Sequence, residues 1–287
     1  SPGCQGALVV RWRWMRPRAA FVAFEIMDDR DRILAIETAR RAGALLHAEA
    51  GKRRQITFKG SPTNLVTEMD HRAEALILEA IRAECPGDAI LSEERGTVGG
   101  PSSRRWIIDP LDGTTNYAHG VPVFGVSLAL EVDGLSRLGV VYDPNLDECF
   151  VAERGKGAWV NGLRLTVSET ATLNESLVAT GLPYNIRETP HNNLAEFAAF
   201  SLRCQGVRRM GSAVLYFCYV AAGRLDGYWE LRVGPWDAAA GALIVEEAGG
   251  RVTNLEGGPL NPDRPEVVAS NGRIHAEMLR VLKEVRG

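Results

Sequence analysis

No feature of this chain constrains its fold more than the stretch Trp-Ile-Ile-Asp-Pro-Leu-Asp-Gly-Thr-Thr-Asn, from Trp106 to Asn116. Its first three residues are bulky and apolar, two of them β-branched, and Gly100, Pro101, Ser102 and Ser103 break the chain just before them. That pattern predicts a short buried strand over 106–108. The strand ends in acid. Asp109 and Asp112 flank Pro110, whose fixed φ stiffens the turn, and Gly113 lets the backbone bend where a side chain would obstruct it. Such a turn can aim two carboxylates and a backbone carbonyl at one point. Neighbouring carboxylates repel each other and lose hydration at the end of a buried strand, so the arrangement is costly unless a cation sits between them. A hard divalent ion such as Mg²⁺, which takes about six oxygens at roughly 2.0 to 2.1 Å, is the natural occupant, and Thr114 and Thr115 can hold one of its waters. For an isolated Asp-x-x-Asp-Gly the plainer alternative is a polar turn.

Size and charge narrow the setting. A chain of 287 residues with 45% hydrophobic side chains can bury a sizeable core, as one large domain or two small ones. The net charge of −3 exerts no pull toward nucleic acid or an anionic membrane, so a small-molecule partner is expected. The five cysteines, Cys4, Cys85, Cys149, Cys204 and Cys218, form no Cys-x-x-Cys pair, which argues against a disulfide framework or structural zinc and favours reduced thiols in a cytoplasm. No apolar run approaches the roughly 20 residues that cross a bilayer. Residues 1–26 differ from the rest, with Arg11, Trp12, Arg13, Trp14, Arg16 and Arg18 following the apolar Ala7 to Val10. Charge after the apolar run is the reverse of a signal peptide. The segment reads as a disordered basic extension or, alternatively, as a docking arm for an acidic partner.

Periodicity predicts a helix from Asp28 to about Ala50, two short extended segments around Gly60-Ser61-Pro62, and a second helix over 71–84 opened by Asp70 as its N-cap. Ala89 to Ser92 is a short strand ending in Glu93 and Glu94. Val123 to Val132, Gly139 to Tyr142 and Cys149 to Ala152 read as strands of a meander. A polar stretch near 168–176 is a plausible seam. Beyond it, strands at 176–180, 206–210 and 225–230 alternate with helices at 190–203 and 213–222, which suggests an α/β unit. Gly211, Ser212 and Ala213 open the second of these helices, where free N–H groups favour a phosphate or a hydroxyl-rich ligand. Asp237 begins a helix that ends at Gly249 and Gly250, so capping alone explains an Asp there.

Taken whole, Asp-Pro-Leu-Asp-Gly-Thr-Thr-Asn after an apolar strand resembles the metal-binding signature of the inositol monophosphatase family, Mg²⁺-dependent and often lithium-inhibited small-molecule phosphatases. Trp236-Asp237 before a small-residue helix ending Glu-Ala-Gly-Gly resembles the family's other signature, and Ser92-Glu93-Glu94 its Glu-Glu pair. Lys59, Leu65-Val66-Thr67 and Asp70 follow the family's spacing as well. The resemblance covers about residues 30–285 and implies a layered α/β/α/β/α sandwich, usually a homodimer. In it, residues 27–168 form an N-terminal α+β subdomain carrying most of the ligands, and 169–287 a C-terminal α/β subdomain completing the site.

Carried over residue by residue, Glu93, Asp109 and the carbonyl of Leu111 would hold one Mg²⁺, and Asp109, Asp112 and Asp237 another, for two ions or three in all. Asp70 and Lys59 would lie just outside them. Glu93 and Thr114 would orient the attacking water, with Asp112 acting beside them and no phosphoenzyme. Asp112, Gly113, Thr114, Gly211, Ser212, Ala213 and Glu230 would contact the substrate. That substrate is expected to be an inositol monophosphate. Fructose 1,6-bisphosphate, NADP, a 3′-phosphonucleotide and histidinol phosphate are the alternatives within the family, and a non-catalytic scaffold using the basic arm is the alternative outside it.

Overall fold

The computed structural model describes residues 30–52, 56–58, 65–260 and 266–287, so the basic extension 1–26 and Lys59 lie outside the described residues. Apolar spacing of three and four at Ala35, Ala39, Ala42 and Leu46 gives helix α1 (Arg30–Glu49) one buried stripe. A small antiparallel pair, β1 (Ile56–Phe58) and β2 (Leu65–Thr67), leads into α2 (Glu68–Glu84). This helix begins earlier than the sequence suggests. Thr67, not Asp70, is its N-cap, and Asp70 closes a capping box as the third helical residue.

The large sheet follows: β3 (Ala89–Ser92), β4 (Gly96–Val98), β5 (Arg104–Asp112), then, after the short α3 (Thr114–His119), β6 (Gly125–Val132), β7 (Leu135–Asp143), β8 (Glu148–Glu153), β9 (Gly157–Val160) and β10 (Leu163–Arg164). Its eight strands lie in the order β10-β9-β8-β7-β6-β5-β3-β4, antiparallel except where β3 runs parallel to β5. The predicted strand over 106–108 is longer, beginning at Arg104, because Arg105 pairs across to Glu131 at 2.5 Å and carries the ladder past the apolar stretch.

The second half contributes β11 (Leu177–Thr180), α4 (Leu194–Ser201), β12 (Gly206–Arg208), α5 (Ala213–Ala221), β13 (Gly227–Glu230), α6 (Pro235–Glu247), β14 (Arg251–Thr253), β15 (Val267–Ser270) and α7 (His275–Arg286). Its five strands lie in the order β12-β11-β13-β15-β14. Helix α4 starts later than periodicity suggests. Asn193 adopts φ +66° and its amide donates to Thr180 Oγ1 and the Gly181 carbonyl, which keeps the preceding chain a loop.

Period-two alternation sorts the sheet side chains into layers. Trp106, Ile108, Leu128, Val140 and Val151 face α1 and α2, whereas Ile107, Ala129, Val141 and Phe150 face α5 and α6. On the small sheet Tyr228, Val267 and Ala269 meet the same α5 and α6, and Val178, Trp229 and Val268 meet α4 and α7. The order is therefore α1/α2, large sheet, α5/α6, small sheet, α4/α7, the expected five-layer α/β sandwich.

A helix pair covered on both sides must be apolar all round, as α5 and α6 are, and its residues must be small where the layers come closest. At Gly139 of β7 an added Cβ would stand 2.8 Å from the Ala240 carbonyl oxygen and 3.0 Å from its Cα. Gly139→Val is therefore expected to destabilise the protein by about 1 to 3 kcal/mol by overpacking, read as a lower denaturation midpoint in urea. A variant as stable as the wild type would show that α6 is not held this tightly.

Candidate active site

The register of β3 and β5 brings the first acids together. Ser92 pairs with Ile108 in the parallel ladder and the Glu93 N–H donates to the Ile108 carbonyl, so Glu93 and Asp109 leave adjacent strands side by side. Between Asp109 and Asp112 the pairing with β6 shifts register, as expected where Pro110 cannot donate to a ladder. Gly113 then turns with φ +94°, and a Cβ there would lie 2.8 Å from the Val123 carbonyl oxygen, so the turn admits glycine alone.

Asp237 arrives from the far half of the chain. Ser127, the ladder partner of Asp109, donates its hydroxyl to the Trp236 carbonyl at 3.3 Å and so pins the start of α6 beside β5. Pro235 opens α6 and Asp237 is its third residue, not its cap; the Gly234 N–H donates to Asp237 Oδ2 at 2.5 Å. Asp112 reaches a third element. Its Oδ2 accepts from the Ser212 hydroxyl at 2.7 Å and the Val214 N–H at 2.8 Å, so it caps α5 from a distance. Ser212 itself, the N-cap residue at φ +63°, gives α5 no side-chain hydrogen bond.

Asp109, Asp112 and Asp237 consequently offer carboxylate oxygens within 4.8 Å of one another. Among the described residues none of the three is paired with a cation. Burial pushes the Asp109 carboxyl well above the usual range, and the charges of Glu93, Asp112 and Asp237 push it further. Burial, then Asp112 and Glu93, does the same to Asp237. Burial also raises Asp112, against the donors from Ser212, Val214 and Gly113. Each carboxylate keeps lone pairs to spare, since Asp109 accepts only from the Leu111 N–H at 2.9 Å among the described residues. Uncompensated, oxygen-rich and half-buried, the cluster fits a hard divalent cation.

The acids open on a cavity of about 340 Å³, which Glu93, Leu111, Gly113 and Thr114 also line. Thr114 Oγ1 lies 3.0 Å from Asp70 Oδ1 and 3.1 Å from the Leu111 carbonyl, so its one proton goes to one of them. Asp70 sits behind Thr114, its Oδ2 accepting from the Thr67 N–H and hydroxyl, each at 2.7 Å. Glu230, at the end of β13, accepts from the Tyr228 hydroxyl at 2.6 Å and lies over Gly181, where a Cβ would collide with its carboxylate. Burial, aided by the charge of Asp112, pushes Glu230 up to about 8. The Gly211 N–H is taken by the Tyr216 hydroxyl at 2.8 Å, and Ala213 is the first residue of α5.

Sequence reasoning missed three further residues that line the cavity, Tyr184, Arg232 and Trp236. Tyr184 is half exposed on the 181–193 loop, in the field of Glu93, Asp112, Asp237 and Glu230. Neither Tyr184 nor Arg232 stands in a patterned segment, so no sequence signal singles them out; Trp236 lies in the Trp-Asp motif that was read for its acid.

A five-layer α/β sandwich that gathers carboxylates from distant parts of the chain at one small polar cavity belongs to the class of hydrolases acting on small phosphate monoesters. Within that class, the chain is a member of the inositol monophosphatase family, whose model matches residues 28–286. It is 46% identical over 250 residues to the inositol-1-monophosphatase of a Synechocystis species, covering 87% of each chain. It is also 43% identical to the Nus factor SuhB of Pasteurella multocida, covering 87% of this chain and 94% of that one. The solved inositol monophosphatase from Anabaena superposes with a TM-score of 0.81 at 44% identity, over 89% of this chain and 96% of the other.

Proposed function

We propose that Glu93, Asp109, Asp112, Asp237 and the Leu111 carbonyl hold two Mg²⁺ ions, or three, and that the protein hydrolyses myo-inositol monophosphate to inositol and phosphate. The observation that carries this reading is the half-buried trio of carboxylates within 4.8 Å, which among the described residues is paired with no cation. Bound Mg²⁺ supplies charge neutralisation at the phosphoryl oxygens and the leaving alkoxide, and it makes water nucleophilic at neutral pH. The chain's own groups supply direction. Thr114, when its proton is committed to Asp70, offers lone pairs that accept from the attacking water, and Glu93 is the second acceptor that aims it in line with the phosphorus. Gly211, Ser212, Ala213 and Glu230 lie on the alcohol side, where Glu230 accepts from substrate hydroxyls when ionised.

Asp112→Asn tests the ligand set. The amide oxygen can still accept from Ser212 and Val214, so α5 stays capped, while a ligand charge is lost. Mg²⁺-dependent phosphate release is expected to fall at least about tenfold; unchanged turnover at saturating Mg²⁺ would refute the role. A phosphate-release panel over inositol 1-phosphate, fructose 1,6-bisphosphate, NADP, a 3′-phosphonucleotide and histidinol phosphate, with and without Mg²⁺ and lithium, identifies the substrate. Activity confined to one of the latter four replaces the inositol reading, and none at all favours the scaffold reading.

We further propose a homodimer in the cytoplasm, since homodimers are the family's habit and among the described residues no helix is long and apolar enough to cross a membrane.

A further inference from the structure

Helix α2 carries two acids one turn apart on one face, Asp70 and Glu74, 1% and 0% exposed. Buried like charges at this spacing work against each other, and apolar residues of similar volume would pack at least as well. Each acid, however, reaches a different loop of the active site. Asp70 accepts from Thr114, in the turn that follows Asp109 and Asp112. Glu74 Oε1 accepts from the Ser92 hydroxyl and from the Arg95 N–H at 3.1 Å, and Oε2 accepts from Arg95 Nε at 2.9 Å. Ser92 and Arg95 bracket Glu93 and Glu94 in the tight connection between β3 and β4, where Ser92 pairs with Gly96.

We propose that Glu74 is a positioning residue for Glu93: it clamps the 92–95 turn to α2, the same helix that anchors the Asp109–Thr114 turn through Asp70. One rigid helix thereby sets the spacing between Glu93 and the other acids. A merely stabilising ion pair would not have to straddle Glu93 from both sides, nor use a backbone N–H of the turn itself. The inference rests on the reading that Glu93 binds a divalent cation.

The test is calorimetric titration of purified wild type and variants with Mn²⁺ as the probe, well below the unfolding temperature, alongside the Mg²⁺ dependence of phosphate release. Glu74→Gln removes the charge from the clamp and is expected to weaken Mn²⁺ binding at one site about tenfold or more. It should raise the Mg²⁺ concentration for half-maximal rate in step, with little change in the KM for substrate. Ser92→Ala deletes a single donor and is expected to weaken binding about threefold to tenfold, which decides the matter if Glu74→Gln does not fold. Glu84→Gln, on the same helix but paired with exposed Arg30, should leave the titration unchanged. Wild-type affinity in Ser92→Ala and in any folded Glu74→Gln would overturn the clamp, even if their melting temperatures drop. A wild-type protein that takes up no Mn²⁺ would overturn the metal-site reading, and the clamp with it.

Discussion

Asp109→Asn is expected to lower Mg²⁺-dependent phosphate release by at least about a hundredfold while making the metal-free protein harder to unfold. The two effects have one cause. Asp109 is 1% exposed and stands in the field of Glu93, Asp112 and Asp237, so in the absence of a cation its charge opposes folding. Asparagine has the same shape, its Oδ1 can still accept from the Leu111 N–H, and its amide can donate to the neighbouring carboxylates. Replacing a buried acid that must either keep its charge without a cation partner among the described residues or take up a proton to fold is expected to add about 1 to 4 kcal/mol to the stability of the metal-free protein. The same charge is what a divalent cation would bind, so the variant gives up in catalysis what it gains in stability. Phosphate release at saturating Mg²⁺ and thermal unfolding in a chelator check the two halves separately. A variant that is inactive and also less stable without metal would show that Asp109 is a structural residue; one that keeps wild-type turnover would remove it from the site.

How much of this was legible beforehand follows from where each acid sits. Asp109, Asp112 and Glu93 stand at the ends of apolar strands, and Asp237 heads a helix of small residues, so local pattern exposes all four. The pairings that aim them are not local. Asp112 is oriented by Ser212 and Val214, and Asp237 is held beside Asp109 through the Ser127 hydroxyl and the Trp236 carbonyl. Nothing in the residues around Ser212 reveals that its hydroxyl serves an acid a hundred positions away instead of the helix it precedes. By sequence Asp70 and Asp237 both read as N-caps, yet both are third residues of their helices, because a carboxylate at either place satisfies the same free N–H groups. Helices α5 and α6 read as parts of a separate C-terminal unit, yet they fill the space between the two sheets and share a core with β5 to β8. Their all-round apolar surface was the sign of burial on both sides.

The metal-free protein is also expected to be about 2 kcal/mol or more stabler at pH 6.5 than at pH 8, and Mg²⁺ should erase or reverse that difference. Glu230 is pushed from its usual range up to about 8, first by burial and then by Asp112, and the three aspartates are raised as well. Between the unfolded and folded values of such a group, the native state holds a proton that the unfolded chain has released. Stability from Glu230 is therefore greatest at low pH and drains away as pH rises toward 8, by up to about 1.4 kcal/mol per pH unit, and the raised aspartates act in the same sense. His275 acts in the opposite sense. Wholly buried between the Ser270 and Thr253 hydroxyls, it is lowered to about 4, so its contribution is complete above about pH 6.5 and lost as pH falls from there toward 4. The interval from pH 6.5 to 8 thus isolates the carboxylates, and urea unfolding in a chelator at the two ends measures them. Glu230→Gln should remove its share of the slope and raise stability at pH 8. If Glu230 binds the leaving alcohol in its ionised form, the same variant raises the KM more than it lowers kcat. A divalent cation favours the ionised form of every carboxylate near it, which is why saturating Mg²⁺ should flatten the wild-type curve. A metal-free protein whose stability is level or rising from pH 6.5 to 8 would mean that the site acids already find their compensation within the chain, and the case for a cation there would lose its physical basis.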